Sequence, residues 1–95
     1  MRHAGQASLD ELEPLLGRLR ELPGLVEKKR GVFYVRGKAF LHFHEDPAGL
    51  FADIRMADGL DFDRIAIGDE SGRAELLALA AQRLRAAPTK APPGR

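Results

Sequence analysis

The run from Gly31 to Met56, Gly-Val-Phe-Tyr-Val-Arg-Gly-Lys-Ala-Phe-Leu-His-Phe-His-Glu-Asp-Pro-Ala-Gly-Leu-Phe-Ala-Asp-Ile-Arg-Met, constrains this fold more than any other part of the chain. Val32 to Val35 has the β-branched and aromatic content of a strand. Arg36-Gly37 reads as the tip of a tight hairpin, with Gly37 supplying positive φ. Lys38 to His44 alternates: Ala39, Leu41 and Phe43 point one way, and Lys38, Phe40, His42 and His44 the other. Asp46-Pro47-Ala48-Gly49 fits a type I turn, with Asp first, Pro second and Gly fourth. Leu50 to Met56 is a third strand, with Leu50, Ala52, Ile54 and Met56 on one side and Phe51, Asp53 and Arg55 on the other. Phe62 to Ile67 reads as a last strand and Leu25-Val26-Glu27 as a short first one. The register at the first hairpin stays open. A two-residue loop pairs Val35 with Lys38 and puts Phe33 on the His42 side; a three-residue loop pairs Val35 with Ala39 and puts Tyr34 there.

Helical patterns flank this meander. Ser8-Leu9-Asp10-Glu11 reads as a capping box. Leu9, Leu12, Leu16 and Leu19 then form an apolar stripe over residues 8 to 22, with Pro14 kinking its first turns. Ser71 is the expected N-cap of a second helix to about residue 87, whose stripe is Leu76, Leu77, Ala80 and Leu84. Residues 1 to 7 are expected to be disordered, residues 8 to 87 to form one domain, and the Pro-rich residues 88 to 95 to be a flexible tail. The expected class is α+β: a two-layer sandwich of helix, four or five antiparallel strands and helix, with both helices on one sheet face.

Composition narrows the function classes. The chain has 95 residues, 15 basic against 14 acidic groups, and no cysteine. There is therefore no disulfide, thiolate nucleophile or Cys-ligated zinc. The near-neutral balance gives no global pull toward nucleic acid. No apolar run approaches the roughly 20 residues that cross a bilayer, and the first residues lack a signal-peptide pattern. These features suit a cytoplasmic protein without a membrane partner. Ser8 and Ser71 are explained as caps and Thr89 lies in the tail, which leaves little for nucleophilic catalysis.

Three candidate sites remain. The first is the sheet face opposite the helices, where Lys38, Phe40, His42, His44, Phe51, Asp53 and Arg55 share parity. This mixture of aromatic and charged groups suits a ligand, an unidentified protein partner or a second copy of the chain. The second lies within it. His42 and His44, at i and i+2 on a strand, are about 6.5 to 7 Å apart and can share a divalent metal, with Asp53 as third ligand. The same three residues are the candidates for acid–base chemistry. The third is the basic set Lys28, Lys29, Arg30 and Arg36, which could touch nucleic-acid phosphates. Charged hairpin tips ordinarily serve solubility, so nucleic acid is the least favoured partner.

The segments His42-Phe43-His44-Glu45-Asp46 and Ala52-Asp53-Ile54 resemble a group of small bacterial and fungal domains labelled luciferase domain. These carry a His-x-His-x-Asp strand end followed by an Asp-aliphatic strand. The similarity covers residues 22 to 56 and implies His42, His44 and Asp53 as matching positions, without a role for them. The run Leu22-Pro-Gly-Leu-Val-Glu27, followed by Val35-Arg-Gly-Lys-Ala-Phe40, is similar to MmcQ/YjbR-like domains, which implies an α, β-meander, α layout. The expectation is a bacterial, non-enzymatic binding or interaction module acting through the mixed sheet face, without a required cofactor. A metal-dependent or acid–base enzyme centred on His42, His44 and Asp53 is the first alternative, and nucleic-acid binding through the hairpin tips the second.

Overall fold

Arg36 and Gly37 both have left-handed backbone conformations, with φ of 53° and 82°. Two successive positive φ values make a type I′ turn, whose twist matches that of the flanking strands. A computed structural model describes residues 1–86, and the expected tail at 88 to 95 lies outside them. Its elements are β1 (Arg2–His3), α1 (Gln6–Glu11), α2 (Glu13–Arg20), β2 (Val26–Lys29), β3 (Val32–Val35), β4 (Lys38–Asp46), β5 (Gly49–Arg55), β6 (Phe62–Ala66) and α3 (Glu70–Ala86). Strands β2 to β6 form an antiparallel meander in sequence order, and β1 joins the same sheet beside β4. The fold is α+β, as the patterns of strand and helix imply.

The first hairpin resolves the open register in an unforeseen way. Val35 pairs with Lys38, so the loop has two residues, but the ladder then slips: Tyr34 faces Ala39 while Phe33 faces Leu41. Phe40 is the extra residue. A bulge of this kind reverses the parity of everything beyond it. Phe33 thus lies with Leu41 on the core side, and Phe40, expected on the mixed face, is buried in the core. In the next pair the register is regular, from Leu41 opposite Ile54 to Asp46 opposite Gly49. Asp46 also accepts a hydrogen bond from the Ala48 N–H at 3.0 Å, which closes that turn.

One core forms between the sheet and the helices. Leu12, Leu15, Leu16 and Leu19 from the first helical segment meet Phe33, Leu41, Phe43, Ala52 and Ile54 from the strands, and Leu76 and Ala80 from α3. Fully burying each large side chain contributes about 1.5–3 kcal/mol, so this stripe accounts for the docking of both helices on one face. Two expected caps are corrected. α1 starts at Gln6 with Gly5 as its N-cap, so Ser8 lies inside it, and Ser8 donates instead to Glu45 at 2.8 Å. α3 starts before Ser71, and it is Asp69 that accepts the Gly72 N–H at 2.9 Å. Pro14 occupies the first turn of α2, where its missing N–H costs nothing, and the helical stretch breaks at Leu12. Among the described residues no helix is long and apolar enough to cross a membrane.

Candidate metal centre

The N-terminal residues, expected to be disordered, pair with the sheet. Arg2 lies opposite Glu45 and His3 opposite His44, and the Ala4 N–H donates to the Phe43 carbonyl at 3.1 Å. Glu45 holds this segment. Its carboxylate accepts from the Gly5 N–H at 2.8 Å, the Ser8 hydroxyl at 2.8 Å and Arg2 Nε at 3.0 Å. These bonds, the Gly5 and Ser8 ones foremost, keep the Glu45 pKa below the ordinary carboxylate value. β4 is thus shared along one edge by two strands, with β3 beside its first half and β1 beside its second.

This arrangement brings a third imidazole to His42 and His44. One ring nitrogen from each of His3, His42 and His44 lies within 4.8 Å of the others. The His42 and His44 rings meet edge to face with centroids 5.0 Å apart, and His3 stacks on His44 at 5.1 Å. Nitrogens bound at 2.0–2.1 Å to a tetrahedral zinc ion sit about 3.3 Å apart, so side-chain movements of roughly an ångström close the set.

Asp53 stands directly across from His42 on β5 and opposite Arg64 on β6. It is not grouped with the three nitrogens. Arg64 binds it with two parallel bonds, Nε to Oδ1 and Nη2 to Oδ2, each 2.8 Å. The Arg64 bonds hold the Asp53 pKa below its ordinary value, against the opposing effect of burial. An ionised carboxylate only accepts hydrogen bonds, so His44 Nε2, 3.0 Å from Asp53 Oδ2, carries the proton. The lone pair of a neutral His44 then lies on Nδ1. That Nδ1 and the Nδ1 of His42 are buried and have no hydrogen-bond partner among the described residues. A carboxylate that fixes the far side of a ligand imidazole is the usual outer support of a metal histidine.

Other expected site residues separate from this centre. Lys38 is exposed at the β3–β4 hairpin. Arg55 braces loops, donating to the Ala39 carbonyl at 2.6 Å and the Gly59 carbonyl at 2.8 Å, and lies 4.6 Å over the Phe62 ring. Phe51 is half-buried opposite His44. Phe62, which parity reasoning left out, supplies the aromatic wall, its ring 5.4 Å from that of His42. The basic residues do not form one patch. Arg30 is bound to Asp10 at 2.9 Å and Glu13 at 2.8 Å, and Lys28 sits 4.7 Å over the Tyr34 ring. Arg36 is at the opposite end of β3, a strand about 13 Å long.

Burial pushes the His42 pKa down, His44 and His3 push it the same way, and Asp53 opposes. A histidine whose folded pKa is depressed contributes stability that is present above its unfolded value of about 6.5 and lost as the pH falls through the folded value. Metal-free protein is therefore expected to lose stability in urea melts as the pH drops below about 6.5. Asp53, also depressed, adds a second loss below about 4. A flat profile between pH 7 and 5.5 would show that His42 is not held neutral by the fold.

No protein family, curated protein or solved structure matches the chain.

Proposed function

We propose that this protein is a small metal-binding module whose open sheet face takes one first-row divalent ion, with zinc the best fit, on His3, His42 and His44. The observation that carries this reading is the convergence of three imidazoles, one ring nitrogen of each within 4.8 Å of the others. In addition, two buried ring nitrogens of the set, His42 Nδ1 and His44 Nδ1, have no hydrogen-bond partner among the described residues. An unpaired buried polar atom costs about 1–3 kcal/mol, and a cation on that lone pair removes the cost. Imidazole ligands suit zinc, copper, nickel and iron, whereas magnesium and calcium prefer oxygen. Three neutral histidines also leave a tetrahedral ion one open position, the pattern of catalytic rather than purely structural zinc. In this reading Asp53 and Arg64 orient His44 instead of binding the ion. The test is zinc uptake by purified tag-free protein, measured by elemental mass spectrometry and calorimetric titration. One ion per chain is expected, lost in a His42→Ala, His44→Ala double variant that keeps the wild-type circular dichroism. Binding that survives the double substitution, or none in the wild type, would sink the proposal.

A further inference from the structure

The β3–β4 hairpin, the loop between β5 and β6 and the last turn of α3 surround a cleft of about 500 Å³. Its volume is in the range of small-molecule sites, about 300–1,000 Å³. The apolar part of its lining continues the core: Phe40 is buried, and Val35 and Leu84 pack against the core cluster. Leu60, in the loop between β5 and β6, also lines it, yet is 84% exposed. A chain laid along Leu60 removes that apolar surface from water. None of His3, His42, His44, Asp53 and Arg64 lines this cleft, so it is a separate site from the metal centre.

The charges around it select the ligand. Arg36, Lys38, Arg55 and Arg83 line the cleft, against Asp58 as its one acid among the described residues. Arg83 is neutralised by Asp63 at 2.8 Å. Arg55 is half-buried, and its bonds go to the neutral carbonyls of Ala39 and Gly59. Lys38 adds an exposed ammonium at the hairpin. Lys38 and Arg55 together outweigh Asp58, whose carboxylate already accepts the Leu60 N–H at 2.9 Å. A guanidinium bonds a carboxylate roughly twice as strongly as it bonds a neutral acceptor. We infer that this cleft binds a medium-chain aliphatic carboxylate. The head group lies at Arg55 and Lys38, and the chain runs along Val35, Phe40, Leu60 and Leu84. Inorganic phosphate matches the cations but not the apolar lining, and a neutral chain matches the lining but not the cations.

The full chain, metal-free and labelled with nitrogen-15, is titrated with octanoate, octanol, octylammonium, acetate and inorganic phosphate while its amide resonances are followed. Octanoate is expected to move the amides of Lys38, Phe40, Arg55, Leu60 and Leu84. It should bind about tenfold more tightly than octanol, through its charge, and more than about a hundredfold more tightly than acetate, through its chain. Lys38→Glu is expected to weaken octanoate by roughly fivefold and to leave octanol unchanged. Leu60→Asp is expected to weaken both by about fivefold or more. Both side chains are exposed, so neither change should disturb the fold, which circular dichroism checks. Octylammonium binding as tightly as octanoate, or octanoate shifts that fall outside the cleft, overturn the inference. So does the absence of octanoate binding. Tighter binding of phosphate than of octanoate overturns it in favour of a phosphate site. None of these outcomes bears on zinc uptake by the three histidines.

Discussion

Asp53→Asn is expected to weaken zinc binding by about 10–100-fold, the usual effect of removing an outer-shell partner of a metal histidine. The reason lies in the donors around the carboxylate. Arg64 Nε and Nη2 and His44 Nε2 all point at its two oxygens. An amide offers one oxygen and one NH₂ in the same place. With the NH₂ toward His44, the imidazole must surrender its Nε2 proton, which then appears on Nδ1 and fills the lone pair a cation needs. With the NH₂ toward Arg64 Nε, two donors collide. Either way the His44 ring loses its fixed orientation. Competition against a chromogenic zinc chelator reads the affinity, and circular dichroism checks the fold. An Asp53→Asn protein that binds zinc like the wild type would show that Asp53 merely pairs with Arg64 and does nothing for His44.

Gly72→Ala is expected to destabilise the protein by about 3 kcal/mol, toward the upper end of overpacking effects. A Cβ built at Gly72 would lie 2.0 Å from the Ala66 carbonyl oxygen, 3.1 Å from its carbon and 3.2 Å from Ile67 Cα. All three are backbone atoms, so no side chain can swing aside. α3 would have to lift from the end of β6, and Leu76 and Ala80, both fully buried, would lose part of their packing. Gly17 gives the opposite sign. It lies in α2, and a methyl group added there would meet nothing within 4 Å. Gly17→Ala is therefore expected to add about 0.5–1 kcal/mol through helix propensity and lower unfolded-state entropy. Urea midpoints of the two variants should move in opposite directions from the wild type. If Gly72→Ala unfolds with the wild type, α3 does not approach β6 this closely.

The site was partly legible because two of its rules are local. Side chains two apart on a strand share a face, so His42 and His44 had to project together. The short turn from Asp46 to Gly49 sets the register that puts Asp53 beside them. The apolar stripes at Leu12, Leu16 and Leu19 and at Leu76 and Ala80 likewise carry their own helical period, and they bury as that period requires.

What no local rule carried was decided by contacts between distant parts of the chain. A two-residue strand has no periodicity, and His3 reaches the centre because Glu45, about 40 residues away, gathers donors from Arg2, Gly5 and Ser8. The same carboxylate takes the Ser8 hydroxyl from the capping box that the sequence around it suggests. Phe40 left the mixed face because one extra residue in β4 reverses a period of two, and alternation cannot reveal where a ladder slips. Phe62 and Arg64 entered it through pairing with β5, a register set by the longer loop before β6. The patterned strands and helices are thus a property of neighbouring residues, whereas the third imidazole comes to His42 and His44 where the sheet's long-range pairings meet.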